Sequence, residues 1–278
     1  MKQIVNILMF TVACIFLVPI LLLCVGSLQS GYELKTAFAP LIQNEDAYMK
    51  FHLFPSYPTL MHYVKILFLT PAFFTCMFNS MKLTVGVLWG QLIIAVPSAW
   101  AFARFSFRGK RVLFFAYVIL MILPFQVTML SNYLVLNQLG LMNTHWAIIL
   151  PGAFSTFPVF LMYHGFEQIP VSLLEAASVD GASNWIVFTK IALPLGSSGI
   201  LSSIILSFLE YWNLCEQPLA FLKDKSLWPL SLYLPELGFS ALGTSFAAAV
   251  LVLVPAGFVF FMGQDYLEQG IVSSAIKE

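Results

Sequence analysis

Long runs of apolar residues recur along the whole chain and are separated by short polar stretches. Each run approaches the length of about 20 residues that an α-helix needs to cross a bilayer. Backbone groups in lipid must hydrogen-bond within their own segment, so each run is predicted to be a helix. The predicted spans are residues 4–28, 83–105, 112–130, 146–162, 194–212 and 246–262. The pattern predicts an all-α polytopic membrane protein with six transmembrane helices.

The first apolar run follows Lys2 and has the general character of a secretion signal. It is longer than the apolar region of about 7–15 residues in a signal peptide, and no small-residue cleavage site follows it. Cys14 and Cys24 also lack the preceding residues of a lipoprotein signal. We therefore expect an uncleaved transmembrane helix.

Positive charge marks the expected cytoplasmic side. The loop after the second span carries four basic residues, Arg104, Arg108, Lys110 and Arg111. The next loop, residues 131–144, has no charge. The positive-inside rule then puts both termini and the segment 163–190 in the cytoplasm. Residues 29–70 become a longer external segment that is rich in Tyr, Phe and Pro.

Composition agrees with a membrane protein. Hydrophobic residues make up 60% of the 278, and charged residues only 9%, against roughly 25% in a soluble domain. The 13 basic and 13 acidic residues cancel, which excludes the basic surface of a nucleic-acid-binding protein. No linker rich in Gly, Ser or charge divides the chain, so a single membrane domain over residues 1–278 is predicted.

Neither metal binding nor catalysis is indicated. The 4 cysteines have no CxxC spacing and no histidine at ligand spacing, so we interpret them as packing residues. The four histidines do not form an HExxH motif, and the sequence has no GxSxG motif, which disfavours a membrane enzyme. These histidines are His52, His62, His145 and His164. A phosphate loop is also missing, because Gly109-Lys110 is followed by Arg111.

One polar, small-residue segment, EAASVDGASNWIVFTKIALP at residues 175–194, lies between the fourth and fifth predicted spans. Pro170 suits the first position of a helix, and a helix is predicted over residues 172–178. Gly181 should end it, and a second helical stretch follows over 182–191. The segment thus predicts a short helix, a bend and a second short helix outside the membrane. An amphipathic connector on the membrane surface is the alternative.

This segment resembles the complete EAA signature of permease subunits of binding-protein-dependent ABC importers. The ATPase-coupling loop that the resemblance implies comprises Glu175, Ala176, Ala177, Asp180, Gly181, Ile191, Leu193 and Pro194. In this family the cytoplasmic coupling helix between helices 4 and 5 docks in a cleft of an ATPase subunit. Glu175 would face a basic group there, the two alanines would permit close packing, and Gly181 would set the bend. The permease core would cover about residues 71–270.

Other positions resemble the carbohydrate branch of the family, the second permease of maltose-like, multiple-sugar and glycerol-3-phosphate systems. They are Phe78, Asn79, Ser80, Pro124, Gln126, Asn143, Thr144, Phe208, Trp212, Asn213, Pro218 and Leu219. The chain departs from the family at its tail, which ends SSAIKE where a Gly-rich GAVKG-like segment is common, although Lys277 is kept.

The resemblance implies a permease subunit, without enzymatic activity, in the prokaryotic cytoplasmic membrane. The cargo would be a sugar, an oligosaccharide or glycerol-3-phosphate. The implied partners are a second, different permease, two ABC ATPase subunits, an extracellular or periplasmic solute-binding protein, and the lipid bilayer. ATP and Mg would bind to the ATPase, and no cofactor to this chain.

Polar residues inside the membrane are the candidates for a substrate pathway. We expect them to include Asn79, Ser80, Gln126, Glu210, Trp212 and Asn213. The last three combine an acid, a ring and an amide, which suits sugar hydroxyls and ring faces and equally suits an anchor at the membrane interface. Residues 224–244 are either a plain external loop or a contact for the binding protein.

An ion-coupled secondary transporter is the alternative function. It predicts coupling acids near the membrane midplane and paired halves with broken helices. The chain offers few such acids and no clear internal repeat.

Overall fold

The computed structural model describes residues 2–42, 48, 52–236 and 241–275, so Lys277 lies outside the described residues. Within these ranges the chain is helical and has no strand. The helices in chain order are α1 (Lys2–Leu28), α2 (Gly31–Ile42), α3 (Met61–Phe68), α4 (Pro71–Arg104), α5 (Lys110–Ile122), α6 (Phe125–Gln138), α7 (Trp146–Ala153), α8 (Thr156–Glu167), α9 (Val171–Val179), α10 (Asn184–Ile186), α11 (Leu193–Leu195), α12 (Ser197–Trp212), α13 (Glu216–Phe221), α14 (Leu230–Glu236) and α15 (Leu242–Ala275). A π-helical turn, Val187–Ala192, joins α10 to α11, and a 3-10 turn spans Lys225–Leu227.

The described residues include four helical stretches long and apolar enough to cross a membrane. They are Gln3–Leu28, Pro71–Arg104, Trp146–Glu167 and Leu242–Glu268. Two bent pairs reach the same length, namely α5 with α6 and the stretch Asn184–Leu195 with α12. The described part of the chain therefore holds between four and six candidate spans, and the all-helical prediction is confirmed.

Two of the predicted spans are bent where straight helices were expected. The run 112–130 is broken between α5 and α6 with an angle of 107°. Pro124 causes this break, because it lacks an N–H and disfavours helical backbone at Leu123, which is extended at ψ 123°. The fifth run is helical from Asn184 and bends by 67° at Gly196, so its helical structure begins before the predicted start at Pro194.

One compact unit comprises Met1–Met77 and Leu230–Pro255. Its helix α2 begins with a capping box, in which the Ser30 amide donates to Glu33 Oε2 at 3.0 Å and the Glu33 amide donates to Ser30 Oγ at 3.2 Å. The Ser56 amide donates to Glu33 Oε1 at 2.7 Å. These hydrogen bonds, led by the one from Ser30, hold the pKa of Glu33 below its usual value. The segment expected between the first two spans thus contains α2 and α3.

A small core holds this unit together. Phe73 and Cys76 of α4 pack with Ile66 of α3, Leu230 of α14 and Ala248 of α15. The ring of His62 hydrogen-bonds the Gln29 carbonyl at 3.0 Å, which ties α3 to the end of α1.

The second compact unit comprises Phe78–Pro229 and Ala256–Glu278. Its main core gathers Trp100 and Phe102 of α4 with Met162 and Phe166 of α8. Helices α8 and α12 pack most closely at Gly165 and Gly199, where a Cβ on either glycine would lie 3.0 or 2.9 Å from the other's Cα. Small residues permit such close backbone contact between helices in a membrane.

Candidate functional site

The polar segment that carries the EAA signature forms a helix, a glycine bend and a second helical stretch, as predicted. We call residues 170–195 the EAA segment. Helix α9 ends at Val179, and the bend follows at Gly181, which has φ +82°. The Gly181 amide donates to the Ser178 carbonyl at 3.1 Å, and the Ala182 amide donates to the Ala177 carbonyl at 2.9 Å. This pair of bonds is a Schellman motif, which requires a left-handed residue at the position of Gly181.

The second half of the EAA segment begins at Ser183, whose hydroxyl accepts a hydrogen bond from the Ile186 amide. The helix then widens into the π turn, where the Leu193 amide reaches back to the Phe188 carbonyl. Pro194 explains the widening, because it cannot donate to the carbonyl of Lys190 and its ring would crowd that carbonyl in a regular α-helix. Such π turns occur frequently at functional sites.

The EAA segment has an inward and an outward face. The inward side chains belong to the core of the second unit or pack against it, and they include Leu174, Ala177, Ala182, Val187, Phe188, Ala192 and Leu193. The exposed side chains include Val171, Leu173, Glu175, Ala176, Val179, Trp185 and Ile186. The sequence-based hypothesis gave both alanines to a partner. In the structure Ala176 is exposed, whereas Ala177 faces its own chain.

Arg104 connects the transmembrane helix α4 to the start of the EAA segment. Its guanidinium group donates to the carbonyls of Phe166, at 2.6 Å, and of Ile169. It also lies 5.8 Å from the ring of Trp100. Ile169 directly precedes Pro170, the N-cap residue of α9. Sequence reasoning used Arg104 only as a topology marker and missed this contact, which no local motif signals.

A cleft of about 520 Å³ opens elsewhere in the second unit. It is lined from α5 and α6, from the junction of α7 and α8, and from α12 and α13. The polar lining residues are Thr128, Asn132, Ser155, Thr156, Glu210, Tyr211 and Gln217. The apolar lining residues include Leu123, Phe125, Phe154 and Phe157. This mixture of apolar walls and a few polar groups is typical of small-molecule sites.

The cleft lies at two helix interruptions. Leu123 and Phe125 flank the break between α5 and α6, and Phe154 and Ser155 form the junction of α7 and α8. Ser155 has extended backbone with ψ 139° and shares a side-chain hydrogen bond with buried Tyr211. The Gln217 Oε1 atom is buried and has no hydrogen-bond partner among the described residues.

The residues predicted for the substrate pathway do not gather at one place. Glu210 lines the cleft. Asn79 is 4% exposed and donates to the carbonyls of Ser226 and Trp228 at 2.7 and 3.1 Å, while Ser80 next to it is buried.

The remaining predicted residues make contacts within the chain. Gln126 donates to Glu216 Oε2 at 2.9 Å. Trp212 is 2% exposed and stacks on Phe208, and Asn213 donates to the Leu209 carbonyl. Among the described residues that line the cleft, Glu210 is therefore the one that was predicted for the substrate pathway.

Six polar lining residues were missed by sequence reasoning, namely Thr128, Asn132, Ser155, Thr156, Tyr211 and Gln217. Small uncharged side chains in apolar runs give a weak signal. The stronger signal was Pro124 together with the sequence FSTFP at residues 154–158, which places a second helix interruption in a neighbouring span.

Within the described part of the chain, no three His, Cys, Asp or Glu side chains lie close enough to hold a metal ion.

Comparison with known proteins matches this architecture to a family of transport proteins. The family model described as "Binding-protein-dependent transport system inner membrane component" matches residues 91–273. Protein LplC of Bacillus subtilis is 28% identical over 283 residues, covering 96% of this chain and 91% of the relative. The probable ABC transporter permease protein PH1036 of Pyrococcus horikoshii is 31% identical over 244 residues, covering 82% and 84%.

A solved structure is also similar over nearly the whole length. It is a bacterial ABC transporter involved in the import of the acidic polysaccharide alginate, with a TM-score of 0.80 and 25% identity over 95% of this chain and 96% of that one. The resemblance drawn from the EAA signature is confirmed. The chain belongs to the inner membrane components of binding-protein-dependent transport systems, the family of ABC importer permeases.

Proposed function

We propose that this chain is the transmembrane permease subunit of an ATP-driven ABC importer for a carbohydrate or related polar solute. Family membership and the names of the relatives support the cargo class. AraQ of Halalkalibacterium halodurans, 27% identical over 96% of this chain, is named an arabinooligosaccharides transport system permease. LacG of Rhizobium radiobacter, 28% identical over 70%, is named a lactose transport system permease.

The observation that carries the coupling role is the outward face of the EAA segment. Val179 and Trp185 are 87% and 70% exposed in this segment, and Glu175, one helical turn before Val179, is exposed as well. Exposed large apolar side chains on a polar segment are expected at a protein interaction site. A short helix laid into a groove of the ATPase would bury these side chains and pair Glu175 with a basic group. Ala176 would permit close approach, and Asp180 and Gly181 would form the turn.

The proposed topology has six spans, cytoplasmic termini and the EAA segment in the cytoplasm between helices 4 and 5. The contact from Arg104 to the Ile169 carbonyl supports it, because it brings the basic loop 104–111 and the EAA segment to the same end of their unit. Both would then face the cytoplasm under the positive-inside rule. The same proposal treats residues 1–278 as one membrane domain with its permease core at about 71–270.

The proposed assembly contains this chain, a second and different permease, two ABC ATPase subunits and an external solute-binding protein, in the cytoplasmic membrane of a prokaryote. The ATPase subunits would bind ATP and Mg and perform the hydrolysis. A solved alginate ABC transporter in complex with a periplasmic protein that holds an alginate pentasaccharide has a TM-score of 0.60 to this chain at 15% identity, which supports the shared fold.

The test is purification of the tagged chain from its native membranes, identification of what accompanies it, and reconstitution of the recovered complex in proteoliposomes. We expect an ATPase and a second permease to copurify. We also expect ATP hydrolysis to rise when a loaded binding protein is added. Uptake that is driven by an ion gradient and needs no ATP would overturn the proposal in favour of a secondary transporter.

A further inference from the structure

We infer that the cleft at Glu210 is a saccharide-binding site contributed by this chain itself, and that it favours uncharged oligosaccharides over uronates. This inference rests on the proposed function and adds the location of the site and the charge class of its ligand. It concerns only residues of the second unit.

Two helix interruptions meet at the cleft. Backbone that leaves the helical path at membrane depth must be buried in protein or line a water-filled cavity, because lipid offers it no hydrogen bonds. The breaks at Leu123 and at Phe154–Ser155 belong to two different candidate spans, yet both line one cleft. Their convergence indicates an aqueous chamber within the span region.

The cleft lining holds both donors and acceptors of hydrogen bonds. The first amides of α6 and α8, at Phe125 and Thr156 in the cleft wall, have no carbonyl one turn earlier in their own helix. Glu210 offers acceptors, and the lining also holds Gln217, whose buried Oε1 atom has no hydrogen-bond partner among the described residues. A sugar hydroxyl both donates and accepts, so a ligand with many hydroxyls satisfies such a mixed set.

The apolar wall of the cleft contains aromatic rings. Phe125, Phe154 and Phe157 line the cleft beside Tyr211. Aromatic rings offer flat apolar surfaces, against which the C–H face of a pyranose ring can lie while its hydroxyls point to the polar groups. Phe125 is fixed from behind by an edge contact with Phe221, with ring centroids 5.9 Å apart.

The charge preference follows from the ionisable residues. Glu210 is an acid in the lining, and none of the described residues that line the cleft is Lys, Arg or His. A uronate carboxylate brought close to Glu210 would meet a like charge or would force one of the two groups to take up a proton. Either outcome disfavours an acidic saccharide. The solved ABC transporter that is similar to this chain is involved in the import of the acidic polysaccharide alginate, so the two proteins are expected to differ here.

The test uses the complete transporter in membrane vesicles of both orientations, with the four native cysteines replaced and Asn132→Cys introduced into the cleft. A water-soluble maleimide should label this cysteine. Millimolar neutral oligosaccharides (galacto-, arabino-, malto- and chito-oligosaccharides) should include at least one that slows the labelling, while trigalacturonate should not. Arg108→Cys, in the exposed loop, is the control that should be labelled without protection.

Charge variants then test the role of Glu210. Glu210→Lys should raise the concentration of neutral saccharide for half-protection about tenfold, since a hydrogen bond to a charged acceptor is lost, and should create protection by trigalacturonate. Glu210→Gln should weaken the discrimination against trigalacturonate. Glu216→Gln, which removes a charge paired with Gln126 outside the lining, should change neither property.

The outcomes separate this inference from the proposed function. Absence of labelling at Asn132→Cys would overturn the aqueous cleft, and protection by none of the neutral saccharides would overturn the saccharide site. Equal or better protection by trigalacturonate in the parent protein would overturn the charge preference. ATP-driven uptake by the same vesicles reports on the importer separately, and it would remain in all three cases if only the site assignment were wrong.

Discussion

The guanidinium group of Arg104 donates to the backbone carbonyl of Phe166 across 2.6 Å, and it also reaches the carbonyl of Ile169. The end of α4 is thereby tied to the last turn of α8 and to the residue before the EAA segment. Positive charge near the carboxyl end of a helix also suits the helix dipole. This side chain therefore sets the place at which the EAA segment leaves the helix bundle.

We expect Arg104→Ala to reduce transport per ATP hydrolysed while the transporter still assembles. Hydrogen bonds from a charged donor contribute about 1.5–3 kcal/mol each, so their loss should reduce coupled uptake by about tenfold or more. Arg104→Lys should fall between, because lysine lacks the planar fork that reaches two carbonyls. Arg108→Ala, an exposed arginine of the same loop, is the control. An unchanged ratio of uptake to ATP hydrolysis in Arg104→Ala proteoliposomes would contradict this role.

Glu175 on the outward face is predicted to meet a basic group of the ATPase. Glu175→Lys should abolish uptake with normal insertion and normal amounts of the chain in the membrane, because a repulsive pair replaces an attractive one at the docking surface. Glu268→Lys makes the same charge reversal on exposed α15 and should leave uptake near normal. Copurification of the ATPase with each variant gives the readout, and full recovery with Glu175→Lys would speak against the docking surface.

Small residues at position 181 should be tolerated according to how readily they adopt its backbone conformation. The φ of +82° costs other L-residues roughly 1–2 kcal/mol, whereas a Cβ would meet no atom of the described residues within 4 Å. Asparagine adopts this conformation more readily, so Gly181→Asn should retain more uptake than Gly181→Ala. Gly181→Trp should abolish uptake, since it adds a bulky ring beside the docking surface. Equal uptake by the Asn and Ala variants would refute the conformational explanation.

The contact between α8 and α12 should be sensitive to a single methyl group. A Cβ at position 199 would lie 2.9 Å from the Gly165 Cα, and backbone cannot yield as a side chain can. Gly199→Ala should therefore destabilise the protein by about 1–3 kcal/mol, the usual cost of overpacking. Gly257→Ala is the matched control, because a Cβ there would meet no atom of the described residues within 4 Å. Melting temperatures in detergent would distinguish the two variants. Equal melting temperatures would show that the contact between α8 and α12 can accommodate a methyl group at position 199.

His145 gives the 3-10 turn at residues 225–227 a dependence on pH. Its Nε2 atom donates to the Leu227 carbonyl at 3.3 Å. Burial lowers the pKa of His145 and nearby Lys82 lowers it further, although the hydrogen bond to Leu227 opposes them. The neutral ring is thus favoured in the folded state, so protonation of the partly buried His145 should favour opening of this region as the pH drops below the free value of about 6.5.

Hydrogen exchange of residues 222–228 at pH 7.5 and 5.5, corrected for intrinsic rates, measures this effect. Opening should increase several-fold at the lower pH in the parent protein. In His145→Gln, where the side-chain amide can donate without titrating, it should not change. A parent protein whose protection is independent of pH would rule out the titration of His145 as the cause.

The helical fold was largely predictable, because a bilayer requires long apolar segments and leaves the helix as the way for each of them to satisfy its backbone hydrogen bonds. The apolar runs and the basic loop 104–111 are each recognisable from many residues. Gly181 and the residues around it predicted the helix, bend and second helix of the EAA segment. The size of the bend at Pro124 was harder to predict. A proline inside a transmembrane run can kink a helix slightly or break it, and the packing of the neighbouring helices determines which of the two occurs. Helix α2 was overlooked although Ser30 and Glu33 have the spacing of a capping box.

The contents of the site were harder to predict, because they depend on which helices become neighbours. Asn79 looked like a pathway residue, yet it holds the turn at Ser226 through two hydrogen bonds 147 and 149 residues away along the chain. Trp212 and Glu210 are two positions apart on a helix, so they cannot share a face. Tyr211, between them, is the residue that joins Glu210 in the lining.

The glycine contact brings the backbones of α8 and α12 together at Gly165 and Gly199, so a tilt of one helix is expected to move the other with it. At one end of the pair lie Phe166 and Ser197, on either side of the EAA segment, and at the other end lie Thr156 and Glu210, in the wall of the cleft. Helix α12 has 16 residues and is thus about 24 Å long, so a tilt of about 10° would move its far end by about 4 Å. If an ATPase docks on the EAA segment as proposed, a tilt of this size would move the wall of the cleft by a distance comparable to the width of a sugar ring.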